Sequence, residues 1–243
     1  MKFPIIASVS TVLLASTTLA APGTCRNRNA GILEPNNEYT ENWAGAVLVG
    51  TGYTTVSGTI VVPEPTVPPG GSNSGKYSAA AWVGIDGSTC QTAILQTGID
   101  MNLEAGAVSY TTWYEWYPDY SYDFTGFGIS AGDTVAMSVA TTSKTSGTVT
   151  IENHTTGQTV SHDFENQSGQ LCQTNAEWIV EDFQQGNSLV PFVDFNSVTF
   201  TDAMVDGQAD LTGATIYDIK QGDTVLTSCK TVSSTSVTCS YAG

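Results

Sequence analysis

The sequence predicts an all-β fold, an antiparallel sandwich or barrel built as one domain. Three observations carry this. Apolar and polar residues alternate with period two in segment after segment. Thr, Ser and Gly stand where charges usually do, with 12% of residues charged against about 25% in ordinary soluble domains. Neither a βαβ rhythm nor a long stretch of helical periodicity occurs. A length of 243 residues with 40% apolar content suits one sizeable core.

Taken along the chain, residues 1–20 read as a secretory signal peptide: Lys2 supplies the basic start, Ile5 to Leu19 a short apolar stretch, and Thr18-Leu19-Ala20 a small-residue cleavage site. That stretch is too short and polar for a good membrane span, and no later segment approaches about 20 apolar residues. Residues 21–38 form a short pro-segment ahead of a single domain at 39–243. The pro-segment holds both arginines, Arg26 and Arg28, and reads either as a basic mask over an acidic body or as a leftover terminus. Residues 63–75, with four prolines and three glycines, are a loop.

Period-two alternation marks the strands. In Ala81–Asp86, Val83 and Ile85 oppose Trp82 and Asp86; in Gln91–Gln96, Ala93 and Leu95 oppose Ile94 and Gln96. In Tyr110–Tyr117, Trp113 and Glu115 share a face opposite Tyr114 and Trp116. Val135, Met137 and Val139, then Val149 and Ile151, alternate in the same way, and Asn153 to Gly157 is a turn before Val160, His162 and Phe164. In Asn175–Glu181, Glu177, Ile179 and Glu181 oppose Trp178 and Val180; Val198 with Phe200, and Val237 with Cys239 and Tyr241, complete the series. The pleat imposes this alternation. If the aliphatic faces are core, the opposite faces present Trp, Asp, Gln, Trp, Glu and Glu, the residue mix of a substrate groove on an antiparallel sheet.

The formal charge is −16, and from Tyr39 onward four lysines stand against 21 acidic residues. Such a surface repels phosphate backbones and anionic membranes, so neither nucleic acid nor a membrane is expected as a partner. A sequence pI near 4.1 suits a protein that works in acid, where its self-repulsion fades. Five cysteines in an exported chain point to disulfides. Cys229 and Cys239 flank a Ser/Thr-rich turn and close a carboxy-terminal hairpin, Cys90 and Cys172 form the second pair, and Cys25 is left over in the pro-segment. Asn153-His154-Thr155 and Asn166-Gln167-Ser168 are glycosylation sequons.

Several catalytic chemistries lack their residues. Serine chemistry needs a histidine base, and only His154, in a turn, and His162, in strand register with Val160 and Phe164, exist. There is no Gly-x-Ser-x-Gly elbow, no thiol outside disulfides but Cys25, and no His-Glu-x-x-His or Cys-x-x-Cys metal motif. No metal and no cofactor are expected. Asp86-Gly87-Ser88 lacks the aspartic-protease signature and is not repeated. Carboxylates remain, in aromatic strands: Glu115 and Glu177. On the residues alone these leave a hydrolase of peptides, a glycoside hydrolase using Glu115 and Glu177, or a carbohydrate-binding lectin using the tryptophans.

A resemblance separates them. The blocks Asn42–Gly45, Ala80–Asp86, Cys90–Gly98, Trp113–Pro118 and Thr174–Phe183, followed by Val190–Phe192 and Cys239–Tyr241, are similar, in order, to the glutamic peptidases (eqolisins) from about Asn42 to the end. That family implies a sandwich of two large, bent, mostly antiparallel sheets of concanavalin-like or jelly-roll type, with a groove on a concave face, in a secreted, fungal-type acid endopeptidase insensitive to pepstatin. It implies Gln96 and Glu177 as the catalytic pair, Trp82, Asp86, Trp113 and Glu115 around the groove, polypeptides as substrates and a monomer. This sequence departs from the pattern at Thr111, where an acidic residue is expected, in the unbridged loop Gln184–Ser188, and in a shorter pro-region. Glu177 would act as general base toward a bound water and return the proton to the leaving amine. With a free-glutamate pKa of about 4.3, a useful fraction is expected to be ionised in acid. Gln96 would donate to the oxyanion through its amide nitrogen and hold the water through its oxygen.

Overall fold

The computed structural model describes residues 37–243, so the expected signal peptide, nearly all of the pro-segment, and Cys25, Arg26 and Arg28 lie outside the described residues. The strands, in chain order, are β1 (Asn37–Thr40), β2 (Trp43–Val49), β3 (Thr55–Val61), β4 (Lys76–Ile85), β5 (Ile94–Glu104) and β6 (Ala107–Tyr117). Then follow β7 (Tyr122–Asp123), β8 (Thr134–Ser143), β9 (Ser146–Asn153), β10 (Gln158–Phe164), β11 (Asn175–Glu181) and β12 (Gln184–Gln185). The last are β13 (Ser188–Leu189), β14 (Ser197–Val205), β15 (Thr215–Gln221), β16 (Thr224–Val225), β17 (Thr227–Ser233) and β18 (Ser236–Tyr241). Among the described residues no helix is long and apolar enough to cross a membrane.

The fold is the expected β-sandwich. A nine-stranded sheet runs β1-β15-β2-β11-β4-β5-β6-β7, with β16 beside β15, and a seven-stranded sheet runs β10-β9-β8-β3-β14-β18-β17. Among the described residues every strand-to-strand pairing is antiparallel except β1 with β15, and one isolated parallel bridge joins Ser78 to Phe192. The parallel strand starts at Asn37, two residues ahead of the domain start expected at 39.

The alternating patterns dictate the layers. Val83, Ile85, Leu95, Trp116, Trp178 and Val180 of the first sheet meet Val135, Met137, Val139, Val149, Ile151 and Phe200 of the second in one continuous core. The Trp178 indole fixes the spacing between the sheets. Its Nε1 donates to the Ser57 carbonyl at 2.8 Å, and a Cβ on Gly58 would meet its ring at 2.9 Å. The other face of the nine-stranded sheet carries a second apolar cluster of Trp43, Val47, Trp82, Ile94, Trp113 and Ile179. A face rich in tryptophan and turned away from the main core is unusual for a solvated surface, and the site lies there.

Disulfides join Cys90 to Cys172 and Cys229 to Cys239. Residues 63–75 form the connection between β3 and β4, with one bridge from Thr66 to Asp194. His162 is half-buried and stacks on Tyr114, ring centroids 4.0 Å apart; His154 sits at the surface with its Nε2 3.2 Å from Glu152.

Candidate active site

Register assembles the site. Glu177 on β11 lies opposite Gly84 on β4, Gly84 opposite Gln96 on β5, and Gln96 opposite Glu115 on β6. One row across four strands therefore reads Glu177, Gly84, Gln96, Glu115. The next row reads Ile179, Trp82, Gly98, Trp113, and the third Glu181, Ala80, Asp100, Thr111. Residues two apart share a face, so all twelve belong to the Trp-rich side.

Gly84 keeps the first row open. Strands lie about 4.8 Å apart, which puts the Cα atoms of Gln96 and Glu177 about 9–10 Å apart, a gap two extended side chains can close. A Cβ on Gly84 would meet Gln96 Cβ and the Leu95 carbonyl at 3.2 Å and Trp82 at 3.0 Å. Gly98 does the same for the second row, where a Cβ would lie 2.9 Å from the Trp113 ring.

Both partners of the pair are buried, Gln96 with 1% and Glu177 with 0% of its surface exposed. The Ser88 backbone amide donates to Glu177 Oε1 at 3.1 Å. Gln96 Nε2 donates to Glu115 Oε2 at 3.0 Å, which fixes the amide's orientation. Glu177 Oε2 and Gln96 Oε1 are buried acceptors without a hydrogen-bond partner in the protein. With Glu177 ionised, a group with two hydrogens to give would satisfy both, since the carboxylate oxygen and the amide oxygen each accept.

Acidic groups surround the pair. Glu181 Oε2 accepts from Trp82 Nε1 at 2.8 Å and its Oε1 accepts from Asn42 at 3.2 Å. Asp100 accepts from Trp113 Nε1 at 2.8 Å. Burial drives all of them toward the neutral form. It lifts Glu115 to about 7, against the pull of the Gln96 amide. It lifts Asp100 to about 7, with Asp123 adding repulsion, and Glu181 to about 8, against the Trp82 indole. Glu177 is raised well above the ordinary glutamate range by burial, opposed by the Ser88 amide and reinforced by the charges of Asp86 and Glu181. The free-glutamate value therefore does not describe Glu177 here.

Beside the row is a cavity of about 140 Å³ lined by Gln96, Asp100, Trp113, Glu115, Asp119 and Glu181, among others. It shares Asp100, Tyr120, Ser121, Asp123, Phe183 and Gln184 with a neighbouring cavity of about 680 Å³ that reaches Lys76, Asn102 and Thr111. The cleft thus runs along β4, β5 and β6, walled by the β6–β8 connection and the β12–β13 hairpin.

The sequence-derived site residues fare differently. Gln96, Trp113 and Glu115 line the cleft. Trp82 points to the correct face but is wholly buried, packed edge-on against Trp43 with centroids 4.9 Å apart; it is a floor rather than a contact surface. Asp86 needs a correction. Alternation placed it in the groove, but its φ of 67° breaks the pleat and turns the side chain to the start of β11. There its carboxylate accepts from the backbone amides of Gln173, Thr174 and Asn175 at 2.8, 2.8 and 3.2 Å. It is a buried loop anchor, 0% exposed. Asp100 and Glu181 were not singled out as site residues, although each stands four residues along its strand from Gln96 or Glu177, on the same face. Ser88 and Tyr217 carried no sequence signal, because a turn and a remote strand bring them in. The metal-like grouping found among the described residues, Asp86 with Cys90 and Cys172, has its sulfurs locked in a disulfide and its carboxylate spent on amides.

The two carboxylates of the glycosidase alternative stand three strand spacings apart, about 14 Å between Cα atoms, with the Gln96 side chain between them.

Comparison with known proteins points one way. The description "Peptidase A4 family" matches residues 41–241. Scytalidopepsin B from Scytalidium lignicola is 45% identical over 99% of this chain and 100% of its own length. Aspergillopepsin-2 from Aspergillus niger is 52% identical over 85% of this chain and 79% of its own. Among solved structures, scytalido-glutamic peptidase with a transition state analog inhibitor superposes with a TM-score of 0.75 at 48% identity, covering 83% of this chain and 98% of that one. Aspergilloglutamic peptidase from Aspergillus niger gives a TM-score of 0.65 at 56% identity, covering 68% and 99%.

Proposed function

Because this chain belongs to the Peptidase A4 family, the glutamic (eqolisin) peptidases, and is thus a protease acting on polypeptides, we propose that it is a secreted, monomeric acid endopeptidase whose chemistry is done by Gln96 and Glu177. The observation that carries this reading is the pair of unpartnered buried oxygens, Glu177 Oε2 and Gln96 Oε1, on one row of the sheet. On this reading a water that donates one hydrogen to each oxygen is the nucleophile.

From that position the water oxygen attacks the scissile carbonyl carbon while Glu177 takes its proton. The oxyanion of the tetrahedral intermediate accepts from the Gln96 N–H that does not face Glu115. The C–N bond then breaks, and Glu177 gives its proton to the departing amine. Burial makes the second transfer easy and the first one hard, because it favours protonated Glu177. The Ser88 amide works against that by stabilising the carboxylate. Acid helps too, since protonation of Glu181 and its neighbours removes their repulsion. Glu177 is closed over in this structure, so a bound peptide must part the side chains above it to bring water to Oε2.

On the same reading, residues 1–20 direct export and the rest of the chain ahead of β1 is removed. Pepstatin should not inhibit, since no aspartic dyad takes part. Peptide digestion at several acid pH values, with products identified by mass spectrometry and pepstatin present in a parallel set, tests this. Internal cleavage in acid, with and without pepstatin, is expected. No cleavage in acid, or full inhibition by pepstatin, would contradict it.

A further inference from the structure

The segment Asp86–Cys90 is fixed at both ends and held in its middle by the contacts of Ser88 with Glu177 and Tyr217. At one end Asp86, with φ 67°, and Gly87, with φ 119°, reverse the chain; the Asp86 amide donates to the Asn175 carbonyl at 3.1 Å. At the other end the amides of Thr89 and Cys90 donate to Asn175 Oδ1 at 2.9 and 3.4 Å, and the disulfide ties Cys90 to Cys172. Ser88 lies between. Its amide faces Glu177 Oε1, and its hydroxyl lies 2.8 Å from the Tyr217 hydroxyl. Tyr217 comes from β15, two strands from β11, where its row neighbour on β2 is Gly45. It is 8% exposed and packed in the Trp43 and Trp82 cluster, so its hydroxyl is held in place.

We infer that Ser88 and Tyr217 are a positioning pair: the Tyr217 hydroxyl holds the Ser88 side chain so that the Ser88 amide stays aimed at Glu177. This rests on the reading of Glu177 as the proton carrier. The amide favours the carboxylate form of Glu177, while Asp86 and Glu181 oppose it. Loosening Ser88 should therefore make the carboxylate harder to reach, and the acid limb of the kcat profile should move to higher pH. Substrate binding should be little affected, because neither residue lines the cleft.

Tyr217→Phe, Ser88→Ala, their combination, Ser88→Thr and Glu177→Gln, compared with the parent in kcat, KM and pH profile, test the inference. One hydrogen bond of ordinary strength corresponds to about a fivefold fall in kcat for either single change. KM should stay within about twofold, the double variant should be no slower than the singles, and Ser88→Thr should recover the rate. Unchanged kcat and pH limb in both Tyr217→Phe and Ser88→Ala, a rise in KM alone, or multiplicative losses in the double variant would overturn it. A dead Glu177→Gln with an unimpaired Tyr217→Phe would overturn this inference alone; an active Glu177→Gln would overturn the catalytic reading beneath it as well.

A second inference rests on a separate observation, the contrast between the two sequons. Asn153 is 0% exposed. Its Nδ2 donates to Asp133 at 2.8 Å and to the Gly128 carbonyl at 3.4 Å, and its Oδ1 accepts from the amides of Thr155 and Thr156. A sugar on that nitrogen would disrupt the bonds that Nδ2 donates and have no room. Asn166 and Ser168 are exposed, in a left-handed turn with φ 54° at Asn166. This turn follows β10, the edge strand of the seven-stranded sheet, whose unpaired backbone groups invite pairing with other chains.

We propose that Asn166 carries an N-linked glycan that shields this edge and that Asn153 carries none. The full chain, expressed in a fungal secretory host, would be treated with an amide-cleaving glycosidase in heavy-oxygen water and mapped by mass spectrometry. Heavy-oxygen aspartate at Asn166 and unmodified Asn153 are expected. Unmodified Asn166 in chain recovered from the medium, or a glycan at Asn153, would overturn the proposal alone. Unmodified chain found only in the cytosol would overturn it together with the reading of export.

Discussion

Gln96 and Glu177 face each other across a glycine: β5, β4 and β11 align Gln96, Gly84 and Glu177 in one row, and only Gly84 carries nothing to fill the space. Gly84→Ala should therefore be harmful out of proportion to one methyl group. The added Cβ meets Gln96 Cβ at 3.2 Å and Trp82 at 3.0 Å in a strand with no slack. Overpacking of this kind costs about 1–3 kcal/mol. A lower melting temperature together with a fall in kcat is expected, and thermal unfolding with peptide kinetics reads both.

Stability should decline as pH rises. Asp100, Glu115 and Glu181 have folded-state values of about 7, 7 and 8 against ordinary values of 3.8, 4.5 and 4.5. Between those limits the unfolded chain loses protons that the folded chain keeps, so the unfolded state binds fewer protons and stability falls with pH. The contribution of these groups is complete below about pH 4 and is lost by about pH 8. Denaturant midpoints measured across that range should fall steadily in the parent and less steeply in Glu181→Gln.

The two disulfides should differ in worth. Cys90–Cys172 spans 82 residues and Cys229–Cys239 only 10. Loop-closure entropy then assigns about 4–5 kcal/mol to the first and about 3 kcal/mol to the second. Replacing both cysteines of each pair by serine, and comparing denaturation midpoints, should show the larger loss at Cys90 and Cys172. That variant should also lose activity, because the bridge anchors the turn that meets Glu177.

The two faces of β4, β5, β6 and β11 were legible because alternation is local and steric. Val83, Ile85, Leu95, Trp116 and Val180 are core, while Gln96, Trp113, Glu115 and Glu177 lie opposite. Asp86 was misread because period two holds only while φ stays extended, and its φ of 67° ends the pleat one residue after Ile85. The row joining Glu177 to Gln96 was out of reach of periodicity, since β11 inserts between β2 and β4 from about 90 residues along the chain. The resemblance paired these residues; geometry explains why they meet. Tyr217 was invisible for the same reason, because its role depends on the order β15-β2-β11.

On the proposed mechanism Gln96 donates to the oxyanion, and removing it should be costly in rate and mild in stability. Gln96→Ala deletes one amide that donates to the half-buried Glu115. Loss of such a donor typically lowers kcat by roughly 10²–10³. Burst-free steady-state kinetics at acid pH, with circular dichroism to verify the fold, should show that separation.

The most direct test is hydrolysis of denatured casein at pH 3 by the parent, Glu177→Gln, Gln96→Ala and the double variant, each verified as folded. Groups that act as a unit are not additive. Each single variant should therefore lose nearly all activity and the double variant little more. Parental rates in either single variant would show that these two side chains do not carry out the reaction.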